Sequence, residues 1–476
     1  MEALFVKASA MLGDKVAPDH IKLAFSILST YPCALLFKRI EQKWIKHVFS
    51  IIYSSVVMLS VLKLYDGFIH ITTIGLLSFW LMKYYKGQYA AWINFTFVMI
   101  SMSICHIGRQ FKGFEGDTEL DYSGALMIIT IKLSSYGFNV ADGRMTEWTA
   151  HNEQMKIAEY PTLTQYFGWL FYFAGFLTGP TCEYMDYLRF VESKRTSPLN
   201  ETGPACQRLV KSCFFIAALI YLAPTFNYFE ALKPEWSSHS FLYKMFFIQL
   251  SAILTRCKYY SVWYLAEGAC ILSGFGFNGY DRDGHPLWNK LTNVNVLSCE
   301  FAQSYKMLTE NWNIGANHWL RHYVYLRFNP PGTLSTTLKT YIVSSLWHGF
   351  HPGFYLFFLI SSSLQVLSRQ IRRTVRPLFL TVEGKPIPYL KTCYDVSTCI
   401  ASMGLLNMLV PCFDLLHVSK IMHVWREIYY CHFVIIAIGT AVYFTVKPSL
   451  ISMEKKRTRA HGAQMIDTLR IKQKGD

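Results

Sequence analysis

The chain has 476 residues, of which 52% are hydrophobic, 16% aromatic and 16% charged. A charged fraction so far below the roughly 25% usual in soluble domains excludes an ordinary soluble enzyme of two or three domains. The net charge of +15 does not indicate nucleic acid, since no zinc-finger, RNA-binding or basic-zipper pattern accompanies it. The Lys and Arg residues fall mostly between apolar runs, as the positive-inside bias requires. Such a face also attracts anionic lipid headgroups and a phosphate-bearing cosubstrate.

Met1 to His20 lacks the basic region and apolar core of a cleavable signal peptide, so insertion is predicted to begin with the first apolar segment. Mostly apolar runs recur at about 21–37, 47–65, 67–82, 90–107, 123–138, 165–180, 209–229, 241–255, 340–366, 398–418 and 427–447. About 20 such residues span a bilayer as a helix, with every backbone group bonded within the span. Several runs are shorter and are predicted to be tilted or re-entrant. The fold class is therefore all-α, a polytopic membrane protein of about eleven transmembrane or re-entrant helices. No Gly/Ser or Pro linker and no internal repeat divides it, leaving one integral domain over residues 1–450 and a basic hydrophilic cytosolic tail over 451–476.

The twelve cysteines form no C-x-x-C pair, and those in apolar runs (Cys105, Cys213, Cys270, Cys399, Cys431) read as small apolar fillers in a reduced setting. Neither a disulfide frame nor a metal site is predicted. The sequon Asn200-Glu201-Thr202 sits with Lys194, Arg195 and Arg208 in a loop predicted to be cytosolic, hence unglycosylated. Between about 108 and 260, loops of both apparent sides carry Lys and Arg, so charge does not orient them. The last third is clearer. Arg369-Gln370-Ile371-Arg372-Arg373-Thr374-Val375-Arg376 is predicted to be a cytosolic loop. The next two runs then form a hairpin that turns near Ser419–Arg426 in the lumen and returns Glu454–Arg459 to the cytosol. In the final stretch, Lys472 and Lys474 match the K-x-K-x-x form of a dilysine retrieval signal read by a coat complex, which predicts residence in the endoplasmic reticulum. A merely basic, solvated tail would look the same.

Two polar clusters lie in apolar surroundings. Ser345-Leu346-Trp347-His348-Gly349-Phe350-His351 falls inside the run 340–366. A titratable side chain at bilayer depth is costly and marks a functional position by default. As one helix, this run would place His348 about 12 Å from Thr340 and roughly 27 Å from Val366. His351 would share its face. Upstream, Trp312-Asn313-Ile314-Gly315-Ala316-Asn317-His318-Trp319-Leu320 would set Asn313 and Asn317 on one helical face. A carboxamide offers a donor and an acceptor without net charge, and can orient an imidazole, donate to an oxyanion or serve as interhelical glue. Two further segments mix aromatics with charge: Arg256-Cys257-Lys258-Tyr259-Tyr260-Ser261-Val262-Trp263 leading to Glu267, and Gly179-Pro180-Thr181-Cys182-Glu183-Tyr184-Met185-Asp186-Tyr187. Their Tyr and Trp residues suit an interfacial belt, whereas Lys258 and Glu267 must pair or line a polar cavity.

Other chemistries lack their motifs. No His is followed five positions later by Asp, and no G-x-S-x-G, P-loop, H-E-x-x-H or D-H-H-C pattern occurs. The remaining His and Asn suit general-base activation of a hydroxyl toward an activated acyl donor.

The W-N-x-x-x-N-x-W-L segment at Trp312–Leu320 and the S-x-x-W-H-G segment at Ser344–Gly349 resemble the two signature blocks of the membrane-bound O-acyltransferases (MBOATs). Asp121–Gly124, Phe138–Arg144, the G-P-x-x-E-Y and K-Y-Y blocks and Gly274–Asp281 resemble the lysophospholipid acyltransferase branch, its fungal broad-specificity members above all. The likeness covers roughly residues 20–450. It implies a bundle around a central reaction chamber, with His348 as catalytic base and Asn313 as its polar partner. Trp312, Asn317, Trp347, His351, Arg256, Lys258, Tyr259, Tyr260, Glu267, Glu183 and Tyr184 are implied to contact substrates. Acyl-CoA would be cosubstrate and a lysophospholipid the acceptor, with no resident cofactor or metal. Asn289 departs from the acidic residue often found at its position, and the tail is shorter than in many fungal relatives. Another acceptor (sterol, diacylglycerol or protein) and a proton-coupled transporter are the alternatives. The upstream blocks disfavour the first, and the lack of inverted repeats disfavours the second.

Overall fold

In a computed structural model, the described residues are all but 1, 12, 14–15, 114–119, 147–148, 194–199, 329–332 and 476. Lys194 and Arg195, beside the sequon, lie outside them, as do the side chains of Lys472 and Lys474. The architecture is helical, as expected. Among the described residues, seven helices are long and apolar enough to cross a bilayer: Pro18–Arg39, Lys43–Val61, Ala90–Phe111, Ser123–Asp142, Thr202–Leu222, Leu390–Leu415 and Cys431–His461. The helices Tyr65–Tyr84 and Phe241–Ser273 occupy two further predicted runs.

Burial separates centre from periphery. The Ser123–Asp142 span is 78% buried, against 11% for Thr202–Leu222 and 6% for Cys431–His461. The first is an axis of the bundle, and the other two present their apolar surfaces to lipid. All twelve cysteines are free. Cys105 and Cys270 are buried as fillers, but Cys213 is exposed on the lipid-facing helix and fills nothing. The Phe241–Ser273 helix is bounded by local chemistry. Ser240 Oγ accepts the Tyr243 N–H at 3.3 Å, and Gly274, at φ 90°, takes the left-handed turn that ends it.

Several expectations require correction. The run 165–180 is helical only over Leu163–Leu170 and then becomes a series of turns. Non-helical backbone at this depth persists only where protein satisfies it. Here buried Lys132 donates to the Trp169 and Leu170 carbonyls at 2.7 and 3.2 Å, and Ser54 Oγ to that of Phe171 at 2.7 Å. The run 340–366 is not one span. Helix Leu334–His348 stops at Gly349 (φ 123°), and helix Pro352–Val375 doubles back along it. Tyr341 donates to Gln365 Oε1 at 2.8 Å, a contact impossible in one continuous helix. His348 and His351 therefore lie at the apex of a hairpin and do not share a helical face. A rise of 1.5 Å per residue puts that apex about 25 Å from Arg369.

The basic stretch 369–376 is the end of the Pro352–Val375 helix and the turn after it, not a loop. Likewise Ser419–Arg426 lies within the helix Val418–Glu427, whose Ile421, Val424 and Trp425 are buried. The helix Cys431–Gly475 continues from the last apolar run into the basic tail. Finally, Tyr184, Tyr260 and Trp263 are core residues, not an interfacial belt.

Gly353 begins the second arm of the hairpin, and its N–H donates to the Leu416 carbonyl at 2.9 Å. A Cβ there would collide with the Cys412 carbonyl oxygen, whereas one at Gly439 would meet nothing within 4 Å. Gly353→Ala is therefore expected to destabilise the protein by about 1–3 kcal/mol, the scale of overpacking, and Gly439→Ala to be neutral. Thermal unfolding of both variants in one detergent measures the difference.

Candidate active site

Trp347 and His348 end the first arm of the hairpin because Gly349 follows in a conformation closed to side chains. The His348 imidazole is ringed by aromatic groups: Trp347 at 4.7 Å, Phe413 at 5.1 Å, Phe358 at 5.2 Å and Phe354 at 5.6 Å between centroids. Among the described residues, neither of its ring nitrogens has a hydrogen-bond partner, so both remain available to a substrate. Behind it, His106 Nε2 lies 3.1 Å from the Trp347 carbonyl oxygen. His106 is thus a further imidazole close to the His348 segment. His351 caps the second arm, its ring 5.7 Å from that of His417.

Asn313 does not sit on a regular helix with Asn317. It precedes the helix Ile314–Trp319 in the left-handed region (φ 45°, ψ 56°), and the Asn317 N–H donates to its carbonyl at 2.9 Å. The strain is held by Asn293, which sequence reasoning passed over. The Ile314 N–H donates to the Asn293 carbonyl (2.9 Å), the Gly315 N–H to Asn293 Oδ1 (3.0 Å), and Asn293 Nδ2 to Asn313 Oδ1 (3.3 Å). Gly315 is needed because a Cβ would collide with Thr181 Oγ1. That close approach brings the G-P-x-x-E-Y block against the asparagine cluster.

No hydrogen bond joins His348 to Asn313 among the described residues. Their segments meet through Trp319 and Trp347, whose rings lie 6.0 Å apart. Both indoles are buried and both donate to the Ser123–Asp142 helix: Trp319 Nε1 to Ser134 Oγ at 2.8 Å, and Trp347 Nε1 to the Met127 carbonyl at 3.0 Å.

The other sequence-predicted residues divide into groups. Trp312 packs among Tyr259, Tyr260 and Trp263, with centroids 5.6, 5.6 and 5.0 Å away. Arg256 braces that group: its Nε and Nη2 reach Glu300 at 2.7 and 2.6 Å and its Nη1 reaches Asn407 at 2.6 Å, while the Tyr260 hydroxyl donates to Glu300 at 2.6 Å. Lys258 and Glu267 pair, but not with each other. Lys258 Nζ is 3.3 Å from Asp414, and Glu267 Oε1 is 3.0 Å from Arg208 Nε and accepts the Thr292 hydroxyl at 2.6 Å, one residue from Asn293. Glu183 accepts from Asn139 Nδ2 at 2.9 Å, and Asn139 Oδ1 accepts from Tyr323 at 2.9 Å. Tyr184 lies in the core against Trp169 and Tyr136. The arrangement offers an unbonded imidazole in an apolar cage and a carboxamide held by a built support, which suits proton abstraction from a hydroxyl and polarisation of a carbonyl.

The chain is similar to known proteins. Residues 39–410 match the MBOAT, membrane-bound O-acyltransferase family. A lysophospholipid acyltransferase of Schizosaccharomyces pombe is 32% identical over 451 residues, covering 91% of this chain and 88% of that protein. One from Saccharomyces cerevisiae is 28% identical, covering 88% and 72%. Membrane-bound glycerophospholipid O-acyltransferase 1 of Homo sapiens is 29% identical, covering 77% and 76%. Both signature segments fall within the matched residues, and the chain belongs to the membrane-bound O-acyltransferase family.

Proposed function

We propose that the protein transfers an acyl group from acyl-CoA to the free glycerol hydroxyl of a lysophospholipid, usually at sn-2, in phospholipid synthesis and remodelling. The observation that carries this is the unbonded His348 imidazole in its aromatic cage, joined through two tryptophans to the Asn313 segment. The names of the relatives, lysophospholipid acyltransferases among them, support the acceptor class. His348 takes the hydroxyl proton as the alkoxide oxygen attacks the thioester carbonyl. Asn313 supplies its carboxamide to the tetrahedral intermediate. Collapse expels the CoA thiolate, which takes the proton back from the imidazolium, leaving phospholipid and CoA thiol. The neutral imidazole is the form this sequence of steps needs, and the apolar cage excludes the water that would otherwise hydrolyse the thioester.

His348→Ala is expected to lower turnover at least about 10²-fold, the scale of a positioned general base, with expression and insertion unchanged because the imidazole holds no hydrogen bond. His351→Ala, whose ring faces His417, is expected to lose less. Turnover of both variants with oleoyl- and arachidonoyl-CoA against a lysolipid panel decides the matter: more than a few per cent residual activity in His348→Ala removes the base, and equal losses remove the assignment to His348.

The proposed location is the endoplasmic reticulum, where lysophospholipid and acyl-CoA meet, with Lys472 and Lys474 as the contact for a retrieval coat. Replacing both with Ser is expected to move an N-terminally tagged protein partly to post-Golgi membranes. Unchanged reticular staining would assign retention to the spans.

A further inference from the structure

The hydrogen bonds around Asn313 settle which way its carboxamide points. The Gly315 main-chain N–H can only donate, and it donates to the Asn293 side chain at 3.0 Å. The receiving atom must therefore be Oδ1, which makes the other branch of the Asn293 amide Nδ2, a donor. That donor meets Asn313 at 3.3 Å, so the Asn313 atom it meets must be Oδ1. The chain of assignment begins at a backbone group whose polarity is not open to choice, so neither amide can be flipped without setting donor against donor or acceptor against acceptor. Asn313 Oδ1 is thereby committed to Asn293, and Asn313 Nδ2 has no partner among the described residues.

We propose that Asn293 is a positioning residue for acyl transfer. It fixes the strained backbone and the amide orientation of Asn313, so that Asn313 meets the reacting substrate as a hydrogen-bond donor and not as an acceptor. This rests on the acyl-transfer reading above and narrows it. A donor stabilises the oxyanion that forms when the alkoxide adds to the thioester carbonyl. An acceptor would instead orient the imidazole or the attacking hydroxyl. Asn293 is 4% exposed; its side chain meets Asn313 and accepts the Gly315 N–H, and its carbonyl accepts the Ile314 N–H. Its neighbour Thr292 is tied to Glu267, itself 1% exposed and paired with Arg208. The support thus runs from the Phe241–Ser273 helix to the asparagine, and Glu267 reaches the site through it.

The test uses the full chain in nanodiscs with acyl-CoA and a lysophospholipid. Asn313→Asp is isosteric and keeps an acceptor toward Asn293 Nδ2, but has no N–H to offer. It is expected to lose turnover as far as Asn313→Ala, about 10²–10³-fold, the scale for one oxyanion donor, with little change in KM. Asn293→Asp keeps the acceptor for the Gly315 N–H. Its ionised carboxylate cannot donate, so it draws the Asn313 amide round and removes Nδ2 from the substrate. It is expected to lower kcat about 10²-fold, and the double variant Asn293→Asp/Asn313→Ala to be no slower than Asn313→Ala alone, within about threefold. A merely structural role would instead lower the two rates multiplicatively. If Asn313→Ala is impaired but Asn313→Asp is active, the amide faces the other way and the inference falls while the acyl-transfer reading stands. Multiplying losses, or an unimpaired Asn293→Asp, overturn the role of Asn293. An unimpaired Asn313→Ala overturns the role of Asn313 itself, and the inference with it.

Discussion

Two indole N–H groups hold the site together. A buried indole must find an acceptor, because an unbonded donor in an apolar interior carries its full desolvation cost. Trp319 and Trp347 belong to segments with no regular secondary structure in common, yet both satisfy their N–H on the Ser123–Asp142 helix, at Ser134 and Met127. Those positions are seven apart, two turns, so they present on one face. The two signature segments are therefore set against each other by a third element that carries neither of them. The Trp319–Trp347 contact at 6.0 Å follows from that docking.

The breaks in the helices are a second consequence of the same requirement. A continuous helix would satisfy its own backbone but could not present Asn313 or His348 as the end of a segment. Gly349 ends one helix at φ 123° and lies close to the His106 ring, so no other residue fits there without displacing it. The turns after Leu170 are satisfied by Lys132 and Ser54, and they deliver Thr181 to Gly315. In each case a polar side chain from a neighbouring helix replaces the bond that the broken helix gives up.

The site residues were more legible in the sequence than the geometry that joins them. The S-x-x-W-H-G and W-N-x-x-x-N-x-W-L segments stand out because His348 and Asn313 interrupt apolar surroundings, and interruption is a local signal. The break at Gly349 was invisible, because the apolar composition of 340–366 continues across it and hydropathy carries no information about φ. The same blindness placed Asn313 and Asn317 on one helical face. Asn293 could not be found from the chain alone. It lies in a segment without periodicity, and its importance comes from a contact 20 residues away with the side chain of Asn313. The aromatic residues of the K-Y-Y block misled for a different reason: Tyr and Trp favour interfaces and packed cores alike, and only their burial distinguishes the two.

Polarity is graded along the central helix. At Met127 it supports the apolar cage of His348, and at Ser134 it accepts one indole. About 22 Å from Met127, at Asp142, it carries a bidentate pair with Arg327 (2.8 and 2.6 Å), beside the Asn139–Glu183 bond. Asp142 is 1% exposed, and a carboxylate so buried persists only with its partner in place. Arg327 follows directly on the segment that holds Trp319 and Tyr323, so that pair and the Trp319 indole anchor the same stretch at two depths. A segment pinned at both ends has little freedom to slide along the helix.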